Sequence, residues 1–374
     1  MMKNRRMKML PAMGGLLLMI QASAAWGAIN LVNSVTIPLK EDDRVMGSLK
    51  GNFLIYDRSN VALYNQQGDK IFSKVIKNNT KPVMASNGNY LGLVTYDTRF
   101  PTALKTEKLE MYEPQGKFRW KLDNPAANSF VIADDGAIFG IEGVEGMSSA
   151  RIHMFDPYGI LVTIVPISNY HSLLVASSGK KFIIDKARDG LEVYDSLGNL
   201  IGTAPVSRTY VFDKDDRYFA TFFNGEFHLF QDQKEIRTIK SSEIVIIDMV
   251  INVQANLAVL MASKRLEVFE LTTGKLLWEF RLTEERKWFT SLDLDDAARF
   301  IACGLDINQG TLVTKEKRHV EGYLYLFTSN GKTMAQRRED YALWGVGLPR
   351  GALSPSAGVV TLLTREKLQQ FFIK

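Results

Sequence analysis

The chain of 374 residues holds one cysteine, Cys303, and four histidines, His153, His171, His228 and His319. A lone cysteine forbids an intrachain disulfide, so the fold must be held by its core. The histidines show neither HxxxH nor HExxH spacing, which leaves zinc without sequence support. There is no Gly-x-Ser-x-Gly nucleophile elbow and no GxxxxGKS/T phosphate loop. Those absences remove the local signatures of hydrolases and nucleotide-binding enzymes. They leave open a site gathered from single residues on several repeats.

Excess charge is also missing once the start of the chain is set aside. The formal charge is +5, from 46 Lys and Arg against 41 Asp and Glu. Lys3, Arg5, Arg6 and Lys8 lie in the first 27 residues with no acid among them, which leaves 42 against 41. That balance removes the global electrostatic case for nucleic acid or an anionic membrane as partner. The basic start runs into an apolar stretch from Leu10 to Ile20, broken by Pro11 and Gly14-Gly15, and then into small residues from Ala22 to Ala28. This order predicts a secretory signal peptide over residues 1–27, cleaved after Ala25 or Gly27, with 28–374 as a single domain. The apolar stretch is shorter than the roughly 20 residues that span hydrocarbon. Cys303 lies far from the cleavage region, so no lipid anchor is expected. The style of the signal points to a bacterial source and to a periplasmic or secreted product.

What is present is a repeat. Eight short segments end on an aromatic residue, at Tyr64, Tyr112, Phe155, Tyr194, Phe230, Phe269, Phe327 and Phe371. The seven steps average about 44 residues, the length of a propeller blade. Residues 256–282 display one unit most clearly: an apolar strand to Ala262, a turn at Lys264 and Arg265, a strand ending at Phe269, a turn through Gly274, and a return strand from Leu276. The glycine turn recurs at Gly68, Gly116, Gly159, Gly198 and Gly331, whereas the fifth unit has Gln231-Asp232-Gln233. A further strand precedes each unit across a polar turn such as Ser86-Asn87-Gly88 or Asp213-Lys214-Asp215-Asp216.

Each unit therefore reads as four antiparallel strands. Strands apolar on both faces must be covered on both faces, and a ring of sheets does that. The last unit runs out of chain before its outer strand, and residues 31–39 form a strand-like segment without a unit. The expected architecture is all-β: an eight-bladed β-propeller of four-stranded antiparallel blades, closed by the N-terminal strand completing the last blade. Seven blades is the main competitor.

Gly116-Lys117-Phe118-Arg119-Trp120 and Gly274-Lys275-Leu276-Leu277-Trp278 resemble the repeat ending of the pyrroloquinoline-quinone-like propeller superfamily. The Asp-rich turns resemble those of WD40-type repeats. Phe72, Thr163, Gly202 and Ala335 stand where other repeats carry tryptophan. The resemblance implies a propeller, in a superfamily holding both cofactor enzymes and cofactor-free scaffolds. Its quinoprotein dehydrogenases carry vicinal cysteines beside the cofactor; this chain has Cys303 alone, so no cofactor is expected.

Two stretches invite a calcium reading, Asp213/Asp215/Asp216 and Asp293/Asp295/Asp296. Neither has the glycine and distal glutamate of a calcium loop. Both are read as the same polar turn, where Asp bonds nearby backbone, and no metal site is expected. His153 and His228 hold the repeat position taken elsewhere by Glu110, Glu192 and Glu267, which reads as structural. No catalytic residue is assigned.

The loops carry the functional signal. Three long connections, 96–108, 142–150 and 306–321, all join the second strand of a unit to the third, so they crowd one face of the disc. Candidate binding residues are Phe100 and Pro101 in the first loop, and Lys315, Lys317, Arg318 and His319 in the longest. The expected function is a non-enzymatic protein-binding scaffold in a bacterial envelope or surface complex, with the periplasmic outer-membrane assembly propellers as analogue. The alternatives are a propeller enzyme, a quinoprotein oxidoreductase or a sugar or lactone hydrolase or lyase, with its site at the axial channel, and a small-ligand sensor.

Overall fold

Strands form where β-branched and aromatic residues concentrate, and they stop at the positive-φ glycines and short polar turns between them. The computed structural model describes residues 31–40, 42–48, 51–97, 99, 105–113, 115–143, 146, 148–295, 297–307, 318–343, 350–354, 359–363 and 367–373. The signal-like segment lies outside the described residues. The strands assemble into eight four-stranded antiparallel sheets. Blades 1 to 7 occupy 44–75, 80–123, 129–168, 172–204, 209–240, 248–281 and 287–343. Blade 8 takes three strands from 350–373 and its outer strand from Leu31–Pro38, which pairs with Lys367–Ile373.

That last pairing is specified as closely as the others. In blades 1 to 7 the register between third and outer strand slips at the repeat aromatic, for example between Leu63 and Tyr64 and between Val268 and Phe269. In blade 8 Gln370 faces Val35 and Phe371 faces Asn33, the same slip at the same aromatic. The aromatic side chain stacks on its cross-strand partner in several blades: Phe53 on Tyr64, Phe182 on Tyr194, and Phe219 on Phe230 at 4.5 Å between centroids.

The inner strands of blades 2 and 3, and of blades 5 to 8 in succession, lie against one another around the axis. A buried apolar cluster fills each seam from blades 1–2 to blades 7–8. Each fully buried Leu or Phe contributes about 2 kcal/mol there. This is why second strands such as Leu257–Met261 are buried at every position. Blade 8 meets blade 1 differently: Gln370 Nε2 donates to the Gly51 carbonyl at 2.9 Å, and Val35 lies against Gly68. The ring is closed.

One face of the disc latches blade to blade. At its rim, the glycine turns of blades 1 to 4, 6 and 7 each sit on the outer strand of the blade before. A Cβ on Gly116 would lie 2.3 Å from Phe72, and one on Gly331 2.8 Å from Trp278. Trp120 Nε1 donates to the Pro157 carbonyl at 2.9 Å, and Trp278 Nε1 to that of Ser329 at 2.7 Å. Arg237 occupies the tryptophan register in blade 5 and donates to the Thr272 carbonyl in the same way. The fourth seam inverts the pattern. Blade 5 turns through Asp232 and Gln233, both at positive φ, and the strand beneath has Gly202, where an added Cβ would lie 2.5 Å from Gln233. The glycine has moved from the turn to the surface it covers, which accounts for both sequence departures together.

Nearer the axis the polar turns do similar work. Asp134 Oδ1 accepts from Ser86 Oγ and Asn87 N of the preceding blade, each at 2.7 Å. Asp216 accepts from Ser178 N, Asp213 from Val253 N, and Asp215 from Gln254 Nε2. Asp213 and Asp216 are buried, and burial raises both carboxyls above their ordinary value. One correction concerns register: Asp293 belongs to the inner strand Lys287–Leu294, so the counterpart of Asp213 is Asp295. An eight-residue strand has absorbed the first two residues of the apparent turn motif.

Candidate binding face

The opposite face collects the connections from second to third strand and from each outer strand to the next blade. The three long insertions emerge here, between Leu91–Asp97 and Lys105–Tyr112, between Ile138–Glu142 and Ser149–Phe155, and between Phe300–Ile307 and Arg318–Thr328. Their strands reach further than the sequence implied. Arg318 and His319, expected within the connection 306–321, are strand residues that pair with Leu343 and Ala342 at the end of a ladder of ten pairs. The backbone ladder continues there over polar sequence, because it needs no apolar alternation. Phe100, Pro101, Lys315 and Lys317 lie outside the described residues.

Charged clamps hold the bases of the first two insertions. Arg99 donates through Nε and Nη2 to Asp97, at 2.9 and 2.7 Å, and its backbone N–H adds a third contact. The guanidinium of the exposed Arg99 holds the Asp97 carboxyl down to about 2. His153 Nε2 lies 2.8 Å from Glu142 Oε2, with Arg151 also in reach, and these partners lower the Glu142 carboxyl. No sequence motif marks either clamp; the one signal in the sequence is the two-residue spacing of Asp97 and Arg99.

Three depressions described in the molecule open on this same face. One of about 680 Å³ is bordered by Glu142, Ser149, Arg151 and Pro166. One of about 290 Å³ lies between Arg44, Tyr56, Arg58 and Lys81. A third, of about 220 Å³, is lined by Arg208, Phe223, Ile244 and Val245.

The polar repeat position holds structure together. Glu110 takes Lys74 of the preceding blade at 3.0 Å, and Glu192 takes Lys186 at 2.8 Å. Glu267, almost wholly buried, accepts from Ser241 and Ser242 and faces Arg265 at 3.2 Å. His228 lies 3.1 Å from Glu235. Cys303 is fully buried, and burial pushes its thiol far up, so it offers no nucleophile. Among the described residues, no three His, Cys, Asp or Glu side chains gather in a way that would hold a cation. No helix among them is long and apolar enough to cross a membrane.

No family model matches the chain, and no curated protein matches it. Solved structures do. The Dos1 propeller aligns with a TM-score of 0.61 at 11% identity, covering 92% of this chain and 96% of its own. BamB from Moraxella catarrhalis aligns with a TM-score of 0.57 at 13% identity, covering 92% and 100%. The C-terminal WD40 domain of Sif2 aligns with a TM-score of 0.55 at 10% identity, covering 93% and 97%. At these identities the likeness is one of fold: the chain is a β-propeller similar to BamB and to WD40 propellers over nearly its whole length.

Proposed function

We propose that this propeller is a non-enzymatic scaffold of a bacterial envelope, exported by a cleaved signal at residues 1–27, free of a lipid anchor, and working in the periplasm or outside the cell. Its partner is a protein, and it docks on the face that carries the insertions. One observation carries this reading: the three insertions and the three depressions share a face, while the other face is occupied by contacts between blades. A closed ring holds its loops in fixed relative positions, which lowers the entropy lost on association. The near-neutral balance of residues 28–374 argues against nucleic acid as the partner.

The test shortens the connections 98–104 and 308–317 to tight turns and compares crosslinked partner recovery from the native envelope. Recovery should fall at least tenfold with the melting temperature unchanged. Undiminished recovery from a folded variant would remove the insertions from the interface.

A further inference from the structure

The groove at blades 5 and 6 differs from the other two depressions in being walled by large, solvent-exposed apolar side chains. Ile244 and Val245 are 71% and 59% exposed, and Phe223 beside them is 37% exposed. They are not loose. Ile246 is buried in the seam between the blades, Ile247 N donates to the Met261 carbonyl at 2.7 Å, and Ser241 N donates to Gly225 O at 2.9 Å. Across the groove, the buried Ser207 hydroxyl bonds the carbonyls of Thr209 and Phe222 and the Phe222 N–H, which fixes the segment bearing Arg208. Exposed apolar side chains on a rigid segment mark an interaction site better than scattered ones do.

The charges around the groove are unequally used. Glu243 is engaged by Arg265 at 3.8 Å, and Glu267 by Ser241, Ser242 and the same arginine. Arg208 makes no ion pair or side-chain hydrogen bond among the described residues, and neither does the Asn224 carboxamide. The groove thus offers a free guanidinium and a free amide beside an apolar wall, and its complement is a carboxylate flanked by an apolar side chain.

We infer that this groove docks an extended segment of a protein partner in which an acidic side chain meets Arg208 and a neighbouring apolar side chain covers Ile244 and Val245. The inference rests on the reading of this face as the binding face and names the chemistry of one contact within it.

Fluorescence anisotropy on the signal-free chain tests it with three labelled decapeptides: alternating Leu and Asp, alternating Leu and Lys, and alternating Ser and Asp. The Leu/Asp peptide should bind at least tenfold more tightly than either of the others. Arg208→Glu should reverse the preference between Asp and Lys peptides. Ile244→Ser with Val245→Ser should abolish the advantage of leucine over serine while leaving the melting temperature within a degree or two. No binding, equal binding of the three peptides, or indifference to Arg208→Glu in a folded variant would overturn the inference. If the peptides fail while shortening the insertions still abolishes partner recovery, the groove is excluded and the wider face stands.

Discussion

The two faces of this disc use the same kinds of residue to opposite ends. On the latching face, Asp134, Asp213 and Asp216 accept bonds from the neighbouring blade, and turn glycines lie flush on Phe72, Trp120 and Trp278. Several of its polar groups are engaged in bonds between blades. On the other face, charged pairs such as Asp97 with Arg99 stay local and shape the bases of insertions, and Arg208 is left without a partner among the described residues. The contrast teaches that polarity alone does not reveal a binding surface in a propeller. What distinguishes the faces is whether each polar group is answered from within the ring.

Substitutions on the latching face should therefore cost stability, and those on the other face should not. The largest effect is expected for Gly116→Val. Its φ is +78° and the new Cβ would meet the Phe72 ring at 2.3 Å, so the loss should be about 3 kcal/mol, read from urea unfolding. A loss below about 0.5 kcal/mol, the level of ordinary surface changes, would erase the contrast. Next comes the inverted seam. Gly202→Trp should cost about 2 kcal/mol by overpacking against Gln233, and adding Gln233→Gly should recover more than half of it by restoring the arrangement of Trp120 on Gly159. Simple additivity of the two changes would show that the inverted pair is coincidental.

The smallest effect is one of pH. Burial raises the Asp213 and Asp216 carboxyls above 3.8, so the folded state binds protons more readily than the unfolded one. The stability they contribute is fully present below 3.8 and is lost as pH rises through the raised folded values. The Asp213→Asn and Asp216→Asn variants escape that loss. They should gain on the wild type at about pH 8 and surrender the gain toward about pH 4. A stability difference independent of pH would contradict burial as the dominant influence on these groups.

Much of the architecture was legible because the repeat carries its geometry in single residues. The aromatic at 64, 112, 155 and onward marks the register slip of each blade, and the turn glycine marks where one blade lies on another. The outer strand missing from the last unit assigned residues 31–39 to its sheet, and Leu31–Pro38 takes that place. Motif similarity misled where strand length changed. The Asp-rich stretch at 293–296 looks like that at 213–216, yet a longer inner strand shifts it by two residues. The ends of the long connections were also misread, since Arg318 and His319 continue a ladder that backbone hydrogen bonds sustain by themselves. The groove was not legible at all. Ile244 to Ile247 is a continuous apolar stretch in the sequence, and only the fold reveals that Ile246 turns inward while its neighbours face solvent.

The sheet made from both termini also bears on how the molecule comes to exist. Leu31 pairs with Ile373, so the earliest strand must wait for nearly the last residues before its ladder can form. Such a contact has the greatest sequence separation the described chain allows, and its loop-closure entropy is met last. A polypeptide made from its N-terminus keeps this ring open until residues 367–373 are available. Closure then doubles as a checkpoint, because a chain truncated short of residue 367 has no seat for its first strand and leaves two sheet edges bare.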